Sequence, residues 1–434
     1  MWRWLGLLGA FSAQAAEFDA ALHWQSQQYQ DSTRSVFALS TELQQQWQGW
    51  HYQVDTALVN DSVIAEQSAL NNVTGLGLRR TSTPNYLQWQ QHFLRYRADR
   101  LSVSIGLQQL DWALLDRGSM FDVWQAYDFT DLLSPKALAQ NALRLQWRGK
   151  DSNAVQWDFI YTPKATLSKL PAGEFAAPIA LPSEKPADQW GLRVSGHWRQ
   201  QDLAAYAFTG INASPTLCQA TFRLCYDSLR LLGVSVVSPL DGSALLRVEA
   251  GQVWQQRSDG QNDGQNDGQK ISQPADTSYH QYSIALEREW FGVFADEDQW
   301  LALVQWSDAT NLRTNFNANL HTNLPVVSQS QFLAVLPELG QFASRQLDYR
   351  RLFQQQLLGK VQFDTDGSMQ SILALEWAID TANHGHSWLL SWQHRLADQG
   401  FWRIEWQQLQ GKSTSFWGQY ADKDRLQLTL NWQF

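Results

Sequence analysis

The chain has 434 residues, of which 44% are apolar, a globular share that excludes wholesale disorder. Mean hydropathy is −0.40, and no stretch holds the ~18–20 consecutive apolar residues of a membrane-spanning helix, which excludes a helical membrane protein. Acidic residues outnumber basic ones by 42 to 33, giving a net charge of −9 that speaks against nucleic acid as a partner.

The chain starts with a pattern that predicts a signal peptide over 1–15. Arg3 supplies a positive charge, Leu5 to Phe11 form a short apolar core, and Ala13-Gln14-Ala15 gives a small-x-small cleavage pattern. Residues 16–434 are then expected to be one domain in an oxidising compartment. There Cys218 and Cys225 are a disulfide candidate that closes a small loop. Neither belongs to a Cys-x-x-Cys pair, so no zinc or iron–sulfur centre and no cofactor is expected.

Beyond the leader, apolar residues recur with a period of two. Leu101, Val103, Ile105 and Leu107 alternate with Ser102, Ser104, Gly106 and Gln108. Leu373, Leu375, Trp377 and Ile379 oppose Ala374, Glu376, Ala378 and Asp380, and Trp402, Ile404 and Trp406 oppose Arg403, Glu405 and Gln407. Such alternation gives a sheet one apolar face and one polar face. The runs are mostly about 9–12 residues long, the length of a tilted strand that crosses a bilayer. Backbone groups left unpaired in lipid are costly, so such a sheet must close into a barrel. The 23 Trp are then expected on the outer wall and at its two interfaces.

Connections alternate between short and long, as periplasmic turns and outer loops do. This parity predicts 18 strands, with 16 as the alternative, near 18–28, 35–47, 50–60, 85–97, 100–108, 142–149, 154–162, 189–199 and 202–210. The second nine are expected near 228–238, 243–256, 279–290, 298–307, 351–363, 369–380, 386–396, 400–410 and 424–434. Val73 to Arg80 is a candidate for one further strand. The final run places Leu426, Leu428, Leu430, Trp432 and Phe434 on one face. Its Leu430, Trp432 and Phe434 resemble the C-terminal signature that the barrel-assembly machinery recognises.

The connection 109–141 mixes large rings with carboxylates: Asp111, Trp112, Asp116, Asp122, Trp124, Asp128 and Asp131. It is expected either to fold into the lumen and narrow it or to cover the rim as a lid. Gly260 to Gly268 is a short Gly, Gln, Asn and Asp repeat without the apolar residues of calcium-binding repeats, so a surface loop is expected.

Phe93 to Pro135 resembles the segment shared by alginate-export-type outer-membrane barrels of Gram-negative bacteria and their relatives. Those run strand, turn, strand ending Gly-Arg-Gln, then Trp-Gly, then a loop with Asp and Pro. The matching positions are Gly106-Leu107-Gln108 and Trp112-Ala113, followed by Asp122 and Asp131, with Leu107 in place of the family's Arg and Ala113 in place of its Gly. The resemblance implies a monomeric barrel of about 18 strands that passes or exports a solute.

If the apolar sets face lipid, their neighbours line the pore: Arg144, Arg148, Arg193, Arg199, Arg247, Glu249, Glu376, Arg403 and Glu405. Charged rings tune selectivity in pores. Arg144, Arg148, Arg193 and Arg199 come from neighbouring strands and form the candidate track for an anion. Many of these charges are equally explained as cross-strand pairs that rigidify the wall.

For catalysis the local candidate is Asn383 to Ser387, with His384, His386 and Ser387. His386 and Ser387 are adjacent and would point to opposite faces of a strand, so no catalytic or metal site is assigned. The sequence thus predicts a transmembrane antiparallel β-barrel that acts as an outer-membrane channel or exporter for polar solutes, anions or polysaccharide among them. Its expected partners are outer-membrane lipid, the barrel-assembly machinery, the solute and, for export, periplasmic components. The alternatives are an outer-membrane barrel enzyme acting on lipid or envelope, or a soluble secreted β-protein.

Overall fold

In a computed structural model of the chain, residues 17–434 are described apart from 63–84, 170–186, 257–276, 311–354 and shorter breaks at 31, 116–117, 132, 151–154, 215, 219–222, 241, 296, 366–368, 397–398, 413–414 and 416. The expected leader, Asp116 and the stretch Val73 to Arg80 lie outside the described residues.

The first strands are β1 (Glu17–Gln28), β2 (Thr33–Trp47), β3 (Trp50–Asp61), β4 (Asn85–Arg97) and β5 (Leu101–Gln108). A short hairpin, β6 (Ala126–Asp128) and β7 (Lys136–Leu138), precedes β8 (Gln140–Arg148), β9 (Gln156–Thr162), β10 (Gln189–Trp198) and β11 (Gln201–Ile211). A second one, β12 (Thr216–Cys218) and β13 (Arg223–Cys225), precedes β14 (Ser228–Pro239), β15 (Ala244–Gln256), β16 (Thr277–Phe291) and β17 (Gln299–Thr310). The chain finishes with β18 (Gln355–Asp364), β19 (Ser371–Asp380), β20 (Gly385–Leu396), β21 (Gly400–Gly411) and β22 (Arg425–Gln433).

Apart from the two hairpins, these strands form one 18-stranded sheet of antiparallel neighbours. It closes because β1 pairs with β2 on one side and with β22 on the other, in a register that sets Leu22 opposite Trp432 and Trp24 opposite Leu430. Closure removes both sheet edges, so the wall's backbone groups are satisfied within the wall itself. The choice of 18 over 16 strands is settled by this ring.

The period of two decides which side chains face outward. Leu58, Ile105, Trp198, Leu232 and Val234 are all more than half exposed, although each is large and apolar. In water that would be a liability; around a barrel it is a lipid-facing belt. At the end of the short turns, Trp47 and Trp50 stack at 6.5 Å and Trp50 packs on Tyr96 at 4.8 Å, an aromatic rim of the interfacial kind. The Trp47–Trp50 turn itself has two central residues, Gln48 and Gly49, both with positive φ, the backbone that a tight hairpin of twisted strands needs.

Cys218 and Cys225 sit on the paired strands β12 and β13, where Cys218 is opposite Arg223 and Cys225 opposite Thr216. Their side chains lie outside those described, and with them the disulfide candidate.

Candidate functional site

The connection between β5 and β8 is folded inside the barrel. Leu110, Trp112, Met120, Phe121, Val123 and Trp124 are all 3% exposed or less, and they share one apolar cluster with inward-facing wall residues. The wall supplies Ala142 and Ile160, then Tyr206, Phe208, Leu229, Leu231, Val253 and Tyr279. Phe121 stacks on Tyr206 with ring centroids 3.7 Å apart, while Trp124 meets Phe208 edge-on at 5.0 Å and Trp112 at 5.3 Å. The lumen is wet, so each large side chain buried in this way contributes roughly 1.5–3 kcal/mol to docking.

This contact requires a thin wall. A Cβ on Gly191 would lie 2.7 Å from Trp124 and 2.9 Å from Trp112, and one on Gly233 would lie 2.7 Å from Phe121. The rings occupy space that any other residue would fill.

Polar anchors fix the loop's position. Glu249, fully buried on β15, accepts hydrogen bonds from the Leu114 N–H (3.2 Å), the Ser119 hydroxyl (2.7 Å) and the Met120 N–H (3.0 Å). The Trp112 indole N–H donates to Asp158 Oδ2 at 3.0 Å, beside the bidentate pair of Arg144 with Asp158 (2.8 and 2.5 Å). At the tip of the β6–β7 hairpin, Asp131 accepts from Arg425 at 3.0 Å and from Gln27, while Thr130 O accepts from Arg34 at 3.1 Å. The start of the β9–β10 connection braces the hairpin: Lys169 N donates to Tyr127 O, Phe129 N to Lys169 O, and Lys169 Nζ to Asp128 at 2.6 Å.

Burial disfavours charge on Asp131 and Asp128, but neighbouring cations outweigh it. Arg425 and Arg34 hold the Asp131 carboxyl below the usual carboxylate range, and Lys169 does the same for Asp128. Burial, then the Asp122 carboxylate that accepts its hydroxyl proton, push the Tyr127 phenol above its ordinary value. The two depressed aspartates fix a sign. Their contribution to docking is complete above the free carboxylate range near ~4 and is lost as pH falls through their docked values. Protease cleavage at the hairpin tip, around Asp128 and Asp131, is therefore expected to be flat from pH 8 to about 5 and to rise only below roughly pH 4. A rise already at pH 6 would contradict this assignment.

The predicted wall residues divide into groups. Arg144, Arg148 and Arg193, with Arg97 and Arg100, line a recess of about 240 Å³ that also contains Asp158 and Asp99. Arg193 lies over the Tyr206 ring at 5.6 Å, so the loop-bearing wall also seats this guanidinium. Arg247 pairs with Glu287 at 2.9 Å and Glu376 lies 3.9 Å from Lys360. Arg403 donates to Gln393 at 2.9 Å and lies 3.7 Å from Glu405, which is buried and accepts from Gln427 at 2.6 Å. Asp111 accepts from the Ala113 N–H at 2.6 Å, within the loop.

Arg199 is a correction. It sits in the two-residue turn after β10 with φ +58°, and its guanidinium lies 4.7 Å from the ring of outward-facing Trp198. The alternation that places Arg193 inside stops at the turn, so Arg199 leaves the inner track. Arg97 and Arg100 take its place. The sequence reading passed over them because they flank a turn instead of interrupting an apolar run.

At Asn383 to Ser387, His384 occupies a turn with φ +60° and Ser387 is buried on β20, while His386 contacts Gln410 at 2.9 Å.

No protein-family model matches the sequence, and neither does any curated protein. Solved structures do. OccAB1 of Acinetobacter baumannii is 8% identical, with 98% of each chain covered and a TM-score of 0.53. OpdK of Pseudomonas aeruginosa, solved with vanillate, is 10% identical over 98% of this chain and 100% of that one, with a TM-score of 0.52. OccK8 (OprE) of Pseudomonas aeruginosa is 7% identical over 98% and 99%, with a TM-score of 0.53. The fold is that of an outer-membrane porin. The apolar belt on the outer wall and the alternation of short turns with long connections are features of that fold.

Proposed function

We propose that this porin-fold barrel is a channel for small polar solutes and that it favours anions. The observation that carries this reading is the recess of Arg97, Arg100, Arg144, Arg148 and Arg193 beside the folded loop. Asp158 engages Arg144 directly, while Arg148 and Arg97 face the recess with no ion pair to a carboxylate among the described contacts. Fixed cations in a narrow, low-dielectric passage attract and orient anions, most strongly for planar groups that a guanidinium can grip with two hydrogen bonds. The vanillate bound in the OpdK structure, an aromatic carboxylate, is of this chemical type.

The alginate-export-type resemblance of Phe93 to Pro135 points to polysaccharide export as the second reading. The folded loop weighs against it, since a chain of sugars needs a wider passage than a lumen partly filled by six large buried side chains.

Reversal potentials in planar bilayers under a salt gradient test the proposal. The purified barrel is expected to select anions, and Arg97→Glu with Arg148→Glu should abolish or reverse that preference. A barrel that conducts but prefers cations, or a preference unmoved by the double substitution, would count against the anion track.

A further inference from the structure

The loop does not hang from one wall. Its apolar half is fastened to β8–β17, in part through Glu249 of β15, whereas Asp131, at the tip of the β6–β7 hairpin, reaches β1 and β22 at the seam where the barrel closes. Thr130 beside it reaches β2. In the ring order β15 lies nearly opposite that seam. A hairpin arm therefore crosses the lumen, seated in a hydrophobic core at one end and held by ions and hydrogen bonds at the other.

The two ends differ in what they lose on release. Undocking the cored end would expose rings that have no other place to be buried. At the seam the wall residues keep some partners of their own without the arm. Arg34 holds Asp61 through two bonds (3.2 and 2.5 Å), Arg425 donates to Gln407 at 3.0 Å, and Gln27 donates to Gln427 at 3.0 Å. Asp131 and Thr130 O, with the Arg425 and Arg34 Nη1 groups that donate to them, would exchange partners for water.

We infer that Asp131 is a latch that sets the width of the passage, releasing the hairpin tip from the seam while the cored half of the loop stays in place. This rests on the channel reading proposed above and adds to it the residue that determines which solutes are small enough to pass.

Single-channel recording tests the latch. Asp131→Asn removes the charge-assisted bonds to Arg425 and should raise the occupancy of a wider, higher-conductance level about tenfold, the factor that corresponds to ~1.4 kcal/mol. Arg425→Gln should do the same, and combining the two should add little. Asp422→Asn, the same charge change at an exposed outer-loop site, should leave the levels unchanged. A second measurement uses one folded molecule in two states. In Asp131→Cys with Arg425→Cys, a short bifunctional maleimide should hold the channel in its narrow level, and the same protein before cross-linking should flicker to the wide one. Heat-modifiable migration establishes that each variant is a closed barrel. If the wild type conducts while Asp131→Asn shows wild-type levels and cross-linking leaves the levels of the double-cysteine protein unchanged, the latch is refuted and the channel stands. If no variant and no wild-type protein conducts, the channel reading falls and the latch with it.

Discussion

Valine at Gly191 and Gly233 is expected to drive the loop out of the barrel and raise single-channel conductance several-fold. Neither glycine has positive φ, so the conformation itself admits a β-branched residue, although its Cβ would also lie 3.0 Å from Ala207 O at Gly191 and 2.9 Å from Ala250 O at Gly233. On the lumen side it meets the loop. The new Cβ atoms would lie 2.7 Å from Trp124 and from Phe121, inside van der Waals contact, and valine adds two methyl groups beyond them. Overpacking of this kind costs about 1–3 kcal/mol per site, and the two sites act on the same docked segment, so roughly 2–6 kcal/mol is shared between the docked loop and the adjoining strands. The ladders β9–β10 and β11–β14 pair through backbone groups, and heat-modifiable migration checks that the barrel still closes. Gly196→Val is the matched control: it lies on the same strand as Gly191 but faces lipid, where a Cβ meets only Val155 at 3.9 Å. Unchanged conductance in the double valine variant, alongside wild-type behaviour of Gly196→Val, would show that the loop does not limit the passage.

The same glycines mark where the sequence stopped being readable. The alternation in β5, β19, β21 and β22 located all 18 wall strands, with boundaries mostly within one to three residues, because lipid outside and water inside impose opposite demands on successive side chains. That rule assumes a wet inner face. On β14 it fails: Leu229 and Leu231 face inward and are 1% exposed, since the folded loop has replaced water there. Ile160, Val253 and Tyr279 are further inward residues of this kind. A strand apolar on both faces looks, in sequence, like a strand with blurred periodicity. The signal that the loop packs against something was present in Trp112, Phe121 and Trp124, but nothing local to 109–141 names the strands that receive them. Those contacts join residues far apart in the chain, as do Glu249 with Met120 and Arg425 with Asp131. The inner charges were legible as residues and illegible as partners. Arg144, Arg247 and Arg148 look alike in sequence, and the register separates the arginines closed on a carboxylate, Arg144 on Asp158 and Arg247 on Glu287, from Arg148.

Glu249 should be the most sensitive single anchor of the loop. Its carboxylate sits at zero exposure and accepts from three donors of one short segment, Leu114, Ser119 and Met120. A carboxylate is acceptor-only, so it answers all three donors at once, and charge-assisted bonds are roughly twice as strong as neutral ones. Leucine would fill the volume but leave the donors without a partner in a dry pocket, at about 1–3 kcal/mol each. Glutamine keeps one acceptor oxygen and turns a donor toward the others, so its cost should be intermediate. The expected order of loop docking is therefore wild type, then Glu249→Gln, then Glu249→Leu, read as rising protease cleavage within 111–125 in detergent-purified protein. This differs from release of the latch at Asp131, which frees the hairpin tip and leaves 111–125 protected. Protection of 111–125 in Glu249→Leu equal to that of the wild type would mean that the apolar cluster alone suffices. The three hydrogen bonds would then serve to orient the segment over Gly251, where Met120 already fills the space of a missing Cβ at 2.5 Å. The two outcomes separate what holds the loop from what aims it, and the width of the passage depends on both.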